Sequence, residues 1–350
     1  MRHVVFRVDA STSMGLGHLL RCLALAQAFK LHQADTEISF VMLSTTVPFA
    51  KSRLDWSGNI VCLPDQIAQQ AEPDWLQTYC QQQQVSALIV DGYQFDTNYR
   101  RALAAIDCVH VLFDDNNNSG PLYSDLVINP ASKAHELDYA HTAKDAVLCL
   151  GETYRILRAE FSQITLRRPW LARTSLVLVM GGSDPQNLSL RILIALEQVG
   201  FNQPITLATG GAYAFLGELR AFLANTALQV EHLQNCQQIA QLFGQAKLVV
   251  SAAGGSQFEL LACHTPALLL VVADNQRMAT QAAVQQGWCQ AIDYLAEPDI
   301  DKIAQQIVEL WQDSGLLENM HRQATQFADT GGAKRVVEHI RQLVETTHHA

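Results

Sequence analysis

Short apolar runs along the chain alternate with longer stretches in which apolar positions recur every three or four residues. The first pattern has strand length and the second is helical. In the first half the runs predict strands at His3–Val8, Ile38–Leu43, Ile60–Leu63, Ala87–Asp91, Val109–Phe113, Leu126–Ile128 and Val147–Cys149. Helices are predicted between them, among them His18–Lys30, Asp65–Gln84 and Asn98–Ala105. The second half repeats the scheme, with strands at Ser175–Met180, Ile205–Ala208, Leu228–Glu231, Leu248–Ser251 and Ala267–Val271. Its helices include Asn187–Val199, Cys236–Gln245, Gln257–Cys263 and Arg277–Gln286, and the stretch from Asp299 to about Thr346 reads as helix without strand. Such alternation implies parallel sheets with right-handed crossovers. Charge rises and Pro169 interrupts helix across Phe161–Arg173, so the chain is expected to divide into 1–165 and 166–350. Each half reads as a Rossmann-like, doubly wound α/β domain. The two are expected to face each other across a ligand cleft, outside the carboxyl ends of their strands.

Composition narrows the function. The 350 residues carry 24 basic and 34 acidic side chains, a formal charge of −10. That argues against nucleic acid or an anionic membrane as partner, since both require clustered cations. No apolar run reaches the roughly 18–20 residues of a membrane-spanning helix. Met1–Asp9 reads as a strand rather than a leader, because Arg7 and Asp9 interrupt it. A cytoplasmic monomer without membrane insertion is therefore expected. The eight cysteines form no CxxC pair and the twelve histidines no HxxxH or HExxH; buried free thiols are expected, and neither metal nor cofactor. Arg167, Arg168 and Arg173 read as linker surface, and Asp114–Asp115 as a solvated turn, since adjacent loop residues normally diverge.

After the first strand comes Asp9-Ala10-Ser11-Thr12-Ser13-Met14-Gly15-Leu16-Gly17-His18, leading into a helix. Its glycines allow a tight turn and a close ligand approach. A dinucleotide fingerprint would carry a third glycine where this chain has Leu20. An imidazole on the first helical turn, at the positive end of the helix dipole and the mouth of a cleft, suits a general base. The plainer reading of His18 is a polar cap residue.

The pattern Arg7, Asp9, Ser11, Gly15, Gly17, His18, Arg21, Leu25, Ala26 resembles the opening of the UDP-sugar hydrolases of pseudaminic acid biosynthesis, the PseG family. That family is related to the MurG-type glycosyltransferases and shares their GT-B fold. The resemblance continues through Asp91-Gly92-Tyr93, Phe113-Asp114-Asp115, Asp125–Asn129 and Leu150-Gly151 to Leu157–Phe161. It extends over Gly181–Asn187, Ser251–Ser256 with Glu259, and Asp274-Asn275-Gln276. One position departs: the family's usual Asp-His-Tyr is Asp91-Gly92-Tyr93 here. The resemblance implies a catalytic role for His18 and Tyr93, and substrate contacts from Asp9, Gly15, Gly17 and Arg21.

In the second half, Gly181-Gly182-Ser183 and Gly254-Gly255-Ser256 each follow a strand and precede a helix. Backbone N–H groups left open at both helix starts would cradle a diphosphate. Glu259, one turn into its helix, could accept both ribose hydroxyls, although Ser256 and Glu259 also have the spacing of a capping box. The resemblance adds Asn187, Asn275 and Gln276 as ligand contacts and places uracil near His232-Leu233. The implied reaction is inverting attack of water on the anomeric carbon of UDP-2,4-diacetamido-2,4,6-trideoxy-β-L-altropyranose. Its products would be UDP and a free sugar destined for a nonulosonic acid of a flagellin or surface glycan. Two other readings remain open: a GT-B glycosyltransferase with a sugar, lipid or protein acceptor, and a non-catalytic nucleotide-sugar binder.

Overall fold

The computed structural model describes residues 1–11, 15–162 and 168–347. Arg167 and the expected division at 165/166 lie outside the described residues. The chain forms two compact units, residues 1–159 with 330–350 and residues 160–329.

Unit 1 holds seven parallel strands: β1 (His3–Val8), β2 (Glu37–Met42), β3 (Asn59–Cys62), β4 (Ala87–Asp91), β5 (Val109–Phe113), β6 (Leu126–Asn129) and β7 (Val147–Leu150). Their order is β3-β2-β1-β4-β5-β6-β7. The helices are α1 (Gly17–His32), α2 (Val47–Lys51), α3 (Glu72–Gln82), α4 (Thr97–Leu103) and α5 (Tyr139–Thr142), with α6 (Ala159–Ser162) leaving the unit. β1 is buried along its whole length, as a central parallel strand covered on both faces must be. Val4 and Phe6 face one core with Phe29 and Phe40, while Val5 faces another with Leu76 and Leu88. Strand order reverses between β1 and β4, which pair with Val8 beside Asp91. Ligands of open α/β sheets bind at the carboxyl ends flanking such a reversal.

Unit 2 holds β8 (Ser175–Val179), β9 (Ile205–Thr209), β10 (Val230–Gln234), β11 (Ala246–Ala252), β12 (Ala267–Val271) and β13 (Cys289–Asp293). They are ordered β10-β9-β8-β11-β12-β13. Its helices are α7 (Leu188–Gln198), α8 (Leu216–Leu223), α9 (Ile239–Gln245), α10 (Ser256–Ala262), α11 (Arg277–Gln285), α12 (Ile300–Gln312) and α13 (Ser314–Phe327). Leu178 and Val250 of the sheet pack with Ile192 and Leu196 of α7 and Ile303 and Ile307 of α12.

Several expectations change. Arg173, expected at a linker surface, is buried, with Nε donating to Arg168 O at 3.1 Å and Nη1 to Thr265 Oγ1 at 3.3 Å. The strand β13 has no counterpart in the sequence reading, because its Gln290 and Asp293 break the apolar run. The last helix, α14 (Gly332–Thr347), belongs to unit 1, not to the second domain. Val336, Val337, Ile340 and Val344 recur at helical spacing and pack into the core of unit 1 with Phe6 and Leu25. Gly332 permits this return, since a Cβ there would lie 2.1 Å from the carbonyl oxygen of Arg155. Ile340, fully buried, tests the assignment. Ile340→Ala is expected to remove about 2–4 kcal/mol from the urea-unfolding stability of unit 1, with the transition of unit 2 unmoved.

Candidate active site

β4 ends at Asp91, whose side chain is wholly buried. Asp91 Oδ1 accepts from His18 Nδ1 at 2.7 Å. Arg21 grips both oxygens, Nε donating to Oδ2 at 2.6 Å and Nη2 to Oδ1 at 2.6 Å. The guanidinium also reaches Asp115, with Nη1 2.8 Å from Oδ1 and Nη2 3.2 Å from Oδ2. The Tyr93 hydroxyl donates to Asp115 Oδ2 at 2.7 Å. The Tyr93 ring meets the His18 ring edge-on, with centroids 4.8 Å apart. α1 supplies His18 and Arg21 from one face because three residues separate them, and the floor is Phe113, 4.8 Å beneath the guanidinium.

This geometry selects a tautomer. A carboxylate can only accept, so Nδ1 carries a proton, and in the neutral ring the lone pair is therefore on Nε2. Nη2 of Arg21 also lies 3.1 Å from Nδ1, but both nitrogens are donors and both are served by Asp91. Burial lowers the proton affinity of Arg21, and the hydrogen bonds and charges of Asp91 and Asp115 more than reverse that. Burial raises the Asp115 carboxyl, yet Arg21 and Tyr93 hold it below the usual carboxylate range. Burial and the neighbouring Asp115 push the Tyr93 phenol up to about 12, so at neutral pH it is a donor. The sequence reading left Asp115 in a solvated turn and gave Asp91 no role. The pair at 114–115 does diverge: Asp114 accepts from Asn117 N at 2.8 Å and from the Tyr139 hydroxyl, while Asp115 turns into the cluster.

Other expected contacts of unit 1 form the frame. Asp9 is 3% exposed. Its Oδ1 accepts from Leu43 N at 2.8 Å, and its Oδ2 from Arg7 Nη1 at 2.6 Å and Gln94 Nε2 at 3.3 Å. Arg7 pairs in addition with Glu72, which also accepts from the Tyr99 hydroxyl. Asp9 thus anchors the loop after β2 and the buried arginine instead of reaching a ligand. Gly15 adopts φ +83° and its N–H closes on Ser11 O at 2.8 Å, while Gly17 opens α1 with free space where a Cβ would be. Gly92 adopts φ +150°, and a Cβ there would lie 2.4 Å from Gln94 Oε1. The Gln94 carboxamide could swing aside, but a φ of +150° is one that side-chain-bearing residues rarely adopt, so the backbone itself favours glycine at position 92.

In unit 2 the two glycine loops part company. Asp184, buried directly after Gly181-Gly182-Ser183, turns its own carboxylate onto the start of α7, accepting from Leu188 N and Ser189 N at 2.8 Å each. The expected anion cradle at this helix is therefore already filled by the protein. Asn187 is committed as well, donating to Glu218 Oε2 at 3.3 Å and accepting from the Tyr213 hydroxyl. Gly182 and Ser183 stay exposed. The loop after β8 touches the loop after β9, where a Cβ on Gly210 would come within 2.2 Å of Gly182 O.

The loop after β11 is open by contrast. A Cβ on Gly255 would meet nothing within 4 Å, and one on Gly254 only Gln276 Nε2 at 3.9 Å. Ser256 is the first residue of α10, and Gly255 caps it with no side-chain bond. The capping-box alternative for Ser256 and Glu259 is accordingly not formed, and Glu259 stands on the first turn. Gln276 Oε1 accepts from Val272 N at 2.9 Å and Ala273 N at 3.3 Å, folding the turn that places it beside Gly254. Asn275 is exposed on that turn, and Leu233 is half-buried on the edge strand β10. Among the described residues, no group of three or more His, Cys, Asp or Glu is placed to hold a metal. Among the described residues, no helix is long and apolar enough to cross a membrane.

Residues 176–336 match the family described as "Glycosyltransferase family 28 C-terminal domain". An uncharacterized protein of Methanocaldococcus jannaschii, MJ1062, is 23% identical over 77% of this chain, which spans 55% of that protein's length. A UDP-2,4-diacetamido-2,4,6-trideoxy-beta-L-altropyranose hydrolase of Campylobacter jejuni is 27% identical over 71% of this chain and 84% of its own. The spore coat polysaccharide biosynthesis protein SpsG of Bacillus subtilis is 25% identical over 68% of this chain and 71% of its own. Among solved structures, Acinetobacter baumannii MurG superposes with a TM-score of 0.67 at 16% identity, covering 98% of this chain and 100% of that one. The UDP co-structure of Staphylococcus aureus MnaA gives 0.62 at 12% identity, with coverage of 99% and 97%. The chain thus has a MurG-like, GT-B-like α/β fold.

The cap formed by Asp184 can be checked on its own. Asp184→Ala removes both acceptors from the first turn of α7 and is expected to cost about 1–2 kcal/mol of unit 2 stability in urea unfolding.

Proposed function

We propose that the chain is an enzyme acting on a UDP-sugar, and that it hydrolyses the bond between UDP and the anomeric carbon. The observation that carries this reading is the hydrogen bond from His18 Nδ1 to buried Asp91. It supports this reading because, with Nδ1 turned to Asp91, Nε2 is the ring nitrogen left to act as a base at the carboxyl edge of the sheet, where ligands of this fold class bind. The activity of the Campylobacter relative suggests the substrate class, a UDP-activated diacetamido trideoxy sugar.

In the proposed reaction His18 Nε2 takes a proton from water as the oxygen attacks C1 from the face opposite UDP. The C1–O bond breaks, its electrons leave with UDP, and the sugar emerges inverted. The imidazolium formed is stabilised by the Asp91 carboxylate, whose two oxygens Arg21 holds in place. Tyr93, protonated and fixed by Asp115, offers its ring and hydroxyl beside the base. UDP is assigned to unit 2, with the open backbone at Gly254, Gly255 and Ser256 for the diphosphate and Glu259 for the ribose. Asn275 and Gln276 adjoin that loop, and Leu233 is assigned to the base. Gly182 and Ser183 are retained as exposed loop contacts, whereas the start of α7 is not used. UDP is a competent leaving group, so no strong general acid is invoked.

Transfer to a sugar, lipid or protein acceptor is the second reading, favoured by the match to the glycosyltransferase family 28 C-terminal domain. Turnover in ¹⁸O-water without acceptor separates the two. Hydrolysis by C–O cleavage puts the label on sugar C1, whereas label on UDP phosphate or silence until an acceptor is added overturns it. His18→Ala is expected to lower kcat by about 10²–10⁴ with UDP affinity kept. Asp91→Asn should lower kcat similarly and displace the pH–rate profile, because an amide no longer dictates the tautomer. Near-normal turnover of His18→Ala removes the base from the reading.

A further inference from the structure

Unit 1 contains a cavity of about 320 Å³, lined among others by Tyr93, Phe95, Arg100, Phe113 and Asp115. That volume lies at the lower edge of the roughly 300–1,000 Å³ of small-molecule sites. It is continuous with the cluster around His18, because Tyr93 and Asp115 belong to both. The chain segments after β4 and β5 form its mouth, so it opens at the carboxyl edge of the sheet.

Its chemistry excludes phosphate and carboxylate. Asp114 and Asp115 both line it, and Arg100 is buried with its terminal nitrogens bound to the carbonyls of Phe95, Ser119 and Pro121. An anion entering here would meet carboxylates with the cation already engaged. What remains has three parts. Phe95, Leu112 and Phe113 give an apolar wall. Asp115 is partly exposed at the rim; its Oδ2 already accepts from Arg21 and Tyr93, but Oδ1, which accepts from Arg21 alone, keeps a second lone pair. The buried Nε of Arg100 has no hydrogen-bond partner, and a buried donor left unpaired is costly, on the order of 1–3 kcal/mol.

We propose that this cavity is the subsite for an acylamino substituent of the sugar, with the methyl against the phenylalanines, the N–H toward Asp115 and the carbonyl drawn toward Arg100. An acylamino group presents an apolar end, a donor and an acceptor within a few ångströms of one another, and the wall offers the complement of each. The proposal rests on the UDP-sugar reading and adds which part of the sugar unit 1 reads. It makes the cavity a specificity element: a sugar with a hydroxyl in place of the amide leaves the apolar wall wet and the Arg100 donor unpaired.

The test uses the full chain, UDP, the UDP-activated diacetamido trideoxy sugar, and its two analogues carrying a hydroxyl in place of one acetamido group. Dissociation constants are measured by calorimetry on His18→Ala, in which turnover of the sugar is slowed, alone and combined with Asn118→Trp or Asn116→Trp, and for UDP on the natural chain as well. Both asparagines are exposed at the mouth, so either tryptophan can fill the opening without entering the core. UDP affinity reports folding of unit 2, and circular dichroism that of unit 1. The expected result is an affinity about tenfold lower for one of the two analogues, one to two hydrogen bonds' worth. That preference should fall to near unity in both variants, with UDP affinity unchanged. Saturation transfer to one acetamido methyl should weaken in parallel. UDP binding with no such preference, or a preference that survives both tryptophans, overturns the subsite and leaves the nucleotide reading standing. Failure of the natural chain to bind any uridine nucleotide overturns that reading, and the subsite with it.

Discussion

A carboxylate sealed inside a protein has no water to solvate it, and Asp91 therefore dictates what surrounds it. Two donors from Arg21, one from His18 and the weaker Cys22 thiol, 3.6 Å from Oδ2, supply the compensation, and losing one partner of such a pair typically costs about 3–5 kcal/mol. The demand reaches outward from there. α1 must begin so that positions 18 and 21 face β4. The outer edge of the Arg21 guanidinium then needs a second carboxylate, which brings Asp115 in from the loop after β5 and Tyr93 with it. The same arrangement that satisfies the buried charge fixes one imidazole nitrogen as donor and leaves the other basic. Stability and chemistry here are consequences of one contact.

The second unit shows how similar local sequences reach opposite outcomes. Both glycine-rich loops follow a strand and lead to a helix. After Gly181–Ser183 the next residue is an aspartate, and its carboxylate occupies the helix start. After Gly254–Ser256 the next residue is Gln257, buried and turned back to the carbonyls of Ala253 and Gly254, and the glycine backbone stays open. An anion-binding turn is defined as much by the absence of a competing internal anion as by its glycines.

These distinctions mark where the sequence stops being legible. Strand and helix alternation located both sheets, since fully buried parallel strands read as short apolar runs. Spacing and family pattern point to His18, Arg21 and Tyr93, and the structure brings the three together. Asp91 stands in a recognisable motif, but which donor it serves depends on a contact across 73 residues. Asp115 was set aside because neighbouring loop residues diverge; they do, and one of the two directions leads into the site. Asp9 and Asn187 carried the right pattern but answer to internal donors and acceptors. The return of α14 was hidden for a related reason: an amphipathic stripe shows that a helix has a partner and not which one.

That return makes the polypeptide cross between the units twice, once near residue 159 and again near 330. Unit 2 is topologically an insertion in unit 1. During synthesis on the ribosome, the unit that is made first is completed last, because its core waits for Val336, Val337, Ile340 and Val344. Unit 2 has its whole sequence available earlier and can reach its native state while the front of the chain still exposes apolar surface. The order in which the units emerge and the order in which their sequences become complete are thus reversed, and the apolar surface of unit 1 that α14 covers has no partner until that helix is made.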